Sequence, residues 1–148
     1  MRAFLYDLLV NDEELWPFFN VDNSEDAANH VTPRRGQETI SDVELPRPFI
    51  VYGLGNATNE QLADDDAGDH EAERQFFQIW IHDEGGDYGV IDQIIPVVKK
   101  LLIGASHVPS KLLTIRYLET SQEFSNQTYN TLFRYIRFQA IIAKGAAA

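Results

Sequence analysis

Two runs in the last forty residues constrain this chain most. LLTIRYLE (112–119) and LFRYIRFQAIIA (132–143) both carry apolar side chains at alternate positions. Period-two alternation is the mark of a strand with one face buried. Two such runs in close succession predict a long antiparallel hairpin, which needs further strands or helices over its apolar face. A two-residue closure at Asn126 and Gln127 sets Leu113, Ile115 and Tyr117 beside Ala140, Phe138 and Ile136. A one-residue slip would bring arginine and glutamine into that face, so the pattern favours this register. It also places Phe124 opposite Tyr129 and Glu119 opposite Arg134. It leaves one awkward pair on the outer face, Arg116 opposite Arg137, where like charges repel. Either a carboxylate from another segment or another subunit lies between them, or the register is different. A neighbouring subunit's acid is the preferred reading, which makes Arg116, Arg134, Arg137, Glu119, Phe124 and Tyr129 candidate interface residues.

Upstream, RPFIVYGLG (47–55) and RQFFQIWIH (74–82) read as two more strands. In the second, Phe77, Ile79 and Ile81 share one face, and Phe76, Gln78, Trp80 and His82 the other. Tyr88, Ile91, Ile95, Val98 and Leu102 then recur at helical spacing, with Pro96 inside and Gly104 as a stop. Leu5, Leu8, Leu9, Leu15 and Trp16 predict a helix, or two short ones, from residue 2 to about 15, stopped by Pro17. Residues 20–46 and 56–73 read as long loops, the second carrying seven carboxylates and no lysine or arginine before Arg74, and 144–148 as a flexible tail. The expected fold is a single α+β domain over residues 1–148: a mainly antiparallel four-stranded sheet, helices packed on one face, and a long C-terminal hairpin.

Composition narrows the function. There is no cysteine, which removes disulfides, thiolate nucleophiles, iron–sulfur clusters and cysteine-based zinc modules. Twelve basic and twenty-three acidic residues leave a formal charge of −11, the wrong sign for gripping phosphates. Such a surface suits a wall past which DNA slides without sticking. MRAFLYDLLVNDEELW reads as a helix rather than a signal peptide, and no run is long enough to span a membrane. The sequons at Asn56 and Asn126 therefore carry little weight.

The motifs that suggest chemistry fail one by one. His82, Asp83 and Glu84 spell the H-x-E of zinc deaminases, but the partner motif requires cysteines. IWIHDEGGDYG (79–89) is read instead as a hinge: Gly85 and Gly86 permit the turn, and Asp87 caps the following helix. GLGNAT (53–58) has Thr58 where a dinucleotide fingerprint needs its third glycine. In ADDDAGDHEAE, a calcium loop with its glycine at Gly68 would take Ala63 as first ligand, which fails. His30, His70, His82 and His107 fall in four different segments. The expectation is a non-enzyme with no cofactor and no bound metal.

The order of elements resembles the tail terminator (tail-completion) proteins of long-tailed bacteriophages. The resemblance runs from FLYDLLVNDEELW through LPRPFIVYGLG and RQFFQIWIHDEGGDYGVIDQIIPVVKKLL to the closing hairpin. It implies a structural virion protein forming a ring, usually of six copies, in the neck region of the tail, assembled in the host cytoplasm. Such a ring caps the tail tube, halts its polymerisation and meets the head-side connector or stopper protein. DNA passes through its lumen without specific binding, and Asp64, Asp65, Asp66 and Asp69 are candidate lumenal acids. Another neck or tail component, such as a stopper or tube subunit, is the alternative; a small metal-dependent enzyme is the reading from a different class.

Overall fold

The computed structural model describes residues 1–33, 46–60, 72–84, 88–126 and 131–143. Its four long strands are β2 (Phe49–Glu60), β3 (Ala72–Asp83), β4 (Leu112–Thr120) and β6 (Thr131–Ala143), all paired antiparallel. Two short strands, β1 (Val31–Pro33) and β5 (Phe124–Asn126), extend the expected four to six, in the order β1-β2-β3-β6-β4 with β5 also on β6. β1 runs parallel to β2, so the sheet is mixed. Helix α4 (Gly89–Leu102) connects β3 to β4, and β6 is inserted between those two strands. This is a split βαβ crossover, and it makes β4 an edge strand.

The helices cover one face. Phe77, Ile79 and Ile81 of β3 and Ile136, Phe138 and Ala140 of β6 are buried there, as alternation predicts. Ile91, Ile94, Ile95, Val98 and Leu102 of α4 close over them, joined by Leu5 and Leu9 of helix α1 (Arg2–Asn11). Each such side chain contributes about 1.5–3 kcal/mol through burial. Helix α4 continues through the exposed Pro96 and ends at Ile103, after which Gly104 takes the left-handed conformation at φ +80°. Its N-cap is Tyr88, which makes no side-chain capping bond. Asp87, expected as the cap, lies with Gly85 and Gly86 outside the described residues. The stretch does join a strand to a helix.

Other expectations are corrected. Pro17 does not stop a helix; it lies in the first turn of α2 (Trp16–Phe19), where its missing N–H is harmless. The expected loop from residue 20 contains helix α3 (Ser24–Ala27), a 3₁₀ turn (Ala28–His30) and β1. Asn23 caps α3, its side chain accepting a bond from the Asp26 N–H at 2.7 Å. Backbone pairing carries β2 to Glu60 and starts β3 at Ala72, so the acidic connection is shorter than expected. Residues 61–71, including Asp64, Asp65, Asp66 and Asp69, and the tail 144–148 are outside the described residues.

The hairpin register also differs. Ile115 pairs with Ala140 and Tyr117 with Phe138, two residues from the expected partners. An even displacement keeps Ile115 and Tyr117 on their assigned face, which is why the apolar pattern could not detect it. Leu113, expected on that face, falls instead at a bulge and is exposed, while Leu112 is buried. Bulges at Leu112/Thr114 and Tyr117/Glu119 then shift the pairing further, so that Phe124 meets Phe133 and Asn126 meets Thr131. Asn126 pairs with Thr131, so the expected two-residue closure at Asn126 and Gln127 does not form; residues 127–130 lie outside the described residues.

Candidate functional site

The segment containing His82 is one of the places where the sequence suggested chemistry, and His82 lies among the described residues. In the fold, His82 is a buried member of a row of rings crossing the sheet. Its ring stacks on Phe49 at 4.7 Å and on Phe133 at 5.0 Å, and Phe133 stacks on Phe124 at 5.2 Å. Each contact is a cross-strand pair of the ladder. His82 Nδ1 lies 2.8 Å from Thr131 Oγ1. Burial, with a smaller contribution from the Arg47 charge, pushes its pKa down to about 3, so the ring is neutral at pH 7. Among the described residues no group of three or more His, Asp or Glu is arranged to hold a metal ion. His82 works here as an aromatic plate.

The candidate interface residues separate into three groups. Arg134 is engaged within the chain. Its Nε and Nη2 donate to the Ser121 carbonyl at 3.1 and 3.0 Å, and Nη1 donates to Asp92 Oδ1 at 2.7 Å. One guanidinium thus ties β6, the turn after β4 and the first turn of α4 together. Arg134→Ala removes all three charge-assisted bonds and strands a carbonyl; the expected cost is about 2 kcal/mol, read from a urea unfolding midpoint. Arg137→Ala should cost under about 1 kcal/mol, because the Arg137–Glu119 bridge at 2.9 Å is half exposed.

The second group is set by the corrected register. Arg116 faces Gln139, and Arg137 faces Glu119. The predicted Arg116–Arg137 confrontation does not occur, and neither does the Glu119–Arg134 pair; the bulge at Leu118 moves Glu119 to neutralise Arg137 instead. Phe124 belongs to the aromatic row rather than pairing with Tyr129, which lies outside the described residues. Arg116 alone of the three arginines remains exposed with no ion pair among the described residues.

The third group was missed by sequence reasoning. Among the described residues, Ile103, Val108, Leu113, Tyr117 and Leu118 are the large apolar side chains left exposed, Val108 at 89%. All belong to β4, the edge strand, or to the connection that leads into it. That connection covers the first half of the edge: Gly104 N–H donates to the Ile115 carbonyl at 2.9 Å, and His107 and Leu112 exchange two bonds of 3.0 Å. No strand among the described residues covers Tyr117–Thr120. Lys99 lies 4.1 Å from the Tyr117 ring centroid, so the apolar edge also bears positive charge. The available signal was the Tyr117–Leu118 pair, two apolar residues in succession where alternation demands one.

Among the described residues no helix is long and apolar enough to cross a membrane. The sequence matches no protein-family profile and no curated protein. The fold is similar to that of a chain in a solved structure described as the virion of a native gene transfer agent particle. The TM-score is 0.67, identity is 16%, and the likeness covers 97% of this chain and 95% of that one. At that identity the likeness concerns the fold.

Proposed function

We propose that this chain is a structural virion protein and, within the virion, the ring-forming tail terminator. It caps the completed tail tube, stops its polymerisation and presents a surface to the head-side connector, with DNA passing through the ring. The observation that carries this reading is the likeness in fold, over nearly the full length of both chains, to a component of a virion particle. The surface supports it: an edge strand lined with exposed apolar side chains belongs to a protein that assembles. The acidity supports the passage of DNA, since a formal charge of −11 per copy repels phosphate. In this reading Asp64, Asp65, Asp66 and Asp69 line the lumen, and a ring map placing them on the outside would remove that part.

The test is a tube-assembly reaction. Gold-labelled protein added to polymerising tube subunits of the parent phage should appear at one end of each tube, and tube growth should stop there. Label along the whole tube would instead identify a tube subunit. Label bound only to the connector, with tube length unchanged, would identify a stopper.

A further inference from the structure

We propose that copies of this chain associate head to tail through the β4 edge of one copy and the α3 end of the next. This rests on the ring reading above and specifies its contact. The two ends of the sheet are opposite in charge. From Gln93 to Leu118 the chain carries Lys99, Lys100, Lys111 and Arg116 and no carboxylate. Lys100 bridges Glu14 within the chain at 2.9 Å, which leaves Lys99, Lys111 and Arg116 as the cations of the β4 side. From Ala3 to His30 it carries seven carboxylates and no lysine or arginine. The basic stretch ends in β4 at one side of the sheet; the acidic stretch ends in α3 and the 3₁₀ turn leading into β1 at the other. Asp22, Glu25 and Asp26 are exposed there, and so are Lys111 and Arg116 on the opposite edge.

Two different surfaces meeting make a heterologous contact, which closes into a ring or runs on as a filament. The same stretch holds the five large apolar residues that are exposed among the described residues, which supply area to bury at the centre of the contact, with the cations around it. The bulge at Tyr117/Glu119 interrupts the ladder at the uncovered part of the edge. A bulged edge resists strand addition, so docking uses side chains rather than an extended sheet. Opposite charge sets which surface meets which and penalises edge-to-edge pairing of two β4 strands.

Charge exchange tests this in the full chain. One variant carries Lys111→Asp and Arg116→Glu; the other carries Glu25→Lys and Asp26→Lys. Sedimentation velocity over a concentration series, with thermal melts as the folding control, should show self-association of the wild type. Each folded variant alone should associate at least about a hundredfold more weakly, since like charges now face each other across the contact. An equimolar mixture should regain assembly, because both of its alternating contacts are attractive again. A third variant, Leu113→Ser with Leu118→Ser, should remain folded and lose association. If the wild type assembles and either charge variant assembles equally well, or the mixture fails to recover, this contact is wrong while the ring reading stands. If the wild type stays monomeric both in solution and on tube ends, the ring reading fails and the contact with it.

Discussion

Phe138→Ala is expected to lower the unfolding free energy by about 3–5 kcal/mol, enough to leave little stability in a domain of this size. Phe138 is fully buried at the middle of β6, the strand that receives β3 on one side and β4 on the other. Its ring stacks on Phe77 at 5.1 Å and meets Tyr117 edge-on at 6.3 Å. Removing it opens a cavity under α4 where rigid strands on both sides prevent collapse, so the transfer loss and the cavity term add. The same truncation at Phe124, near the end of the hairpin and only partly buried, should cost clearly less. Equilibrium urea unfolding of both variants measures the contrast, and equal losses would show that β6 does not organise the core. Because Tyr117 belongs to the exposed edge and also touches Phe138, the larger loss should be accompanied by weaker assembly of whatever protein remains folded.

The helix-covered face of the sheet was legible from sequence because it depends only on period. Ile79 and Ile81 on β3, and Ile91, Ile95 and Val98 on α4, are buried where spacing put them. Pairing was less legible. The expected register for Ile115 missed by two residues, a displacement that preserves faces and costs the apolar pattern nothing. The β4 bulges left no mark except the apolar doublets Leu112–Leu113 and Tyr117–Leu118. β1 was hidden in an apparent loop because three residues, one of them Pro33, carry no period to detect. Pro17 has two lawful positions, after a helix or in its first turn, and sequence alone does not choose between them.

The candidate surface shows the same division. That charged residues of the hairpin would matter was readable; which carboxylate each arginine meets was not. Arg134 finds Asp92, forty-two positions away, only because α4 folds back over β6. Arg137 finds Glu119 through a bulge. The one arginine left without such a partner, Arg116, lies on the edge strand. Intrachain pairing thus removes two of the three arginines from assembly and concentrates the remaining charge where the exposed apolar residues are. Sequence pointed to the hairpin as the candidate assembly region; in the proposed contact the sheet order moves that candidate surface from the broad face to the edge.

His82 makes the stability of the fold depend on pH in a direction that can be stated in advance. Its folded pKa of about 3 lies below the ordinary value of 6.5. Between those values the unfolded chain binds a proton that the folded chain refuses, so stability is full above about pH 6.5 and falls as pH falls toward 3. The whole span corresponds to about 5 kcal/mol, and the part between pH 7.5 and pH 5 to about 2 kcal/mol. Carboxylates contribute their own dependence, so the comparison must be made against a variant lacking the imidazole. His82→Phe keeps a ring between Phe49 and Phe133 and gives up the contact with Thr131. That lost bond lowers stability by about 1 kcal/mol at every pH and cancels when the two pH values are subtracted. Urea midpoints at pH 7.5 and pH 5 should therefore separate by about 2 kcal/mol less in the variant than in the wild type. An unchanged separation would mean that His82 accepts its proton inside the fold. The aromatic row would then have to accommodate a charge, which stacking between two phenyl rings and a buried hydroxyl does not readily allow.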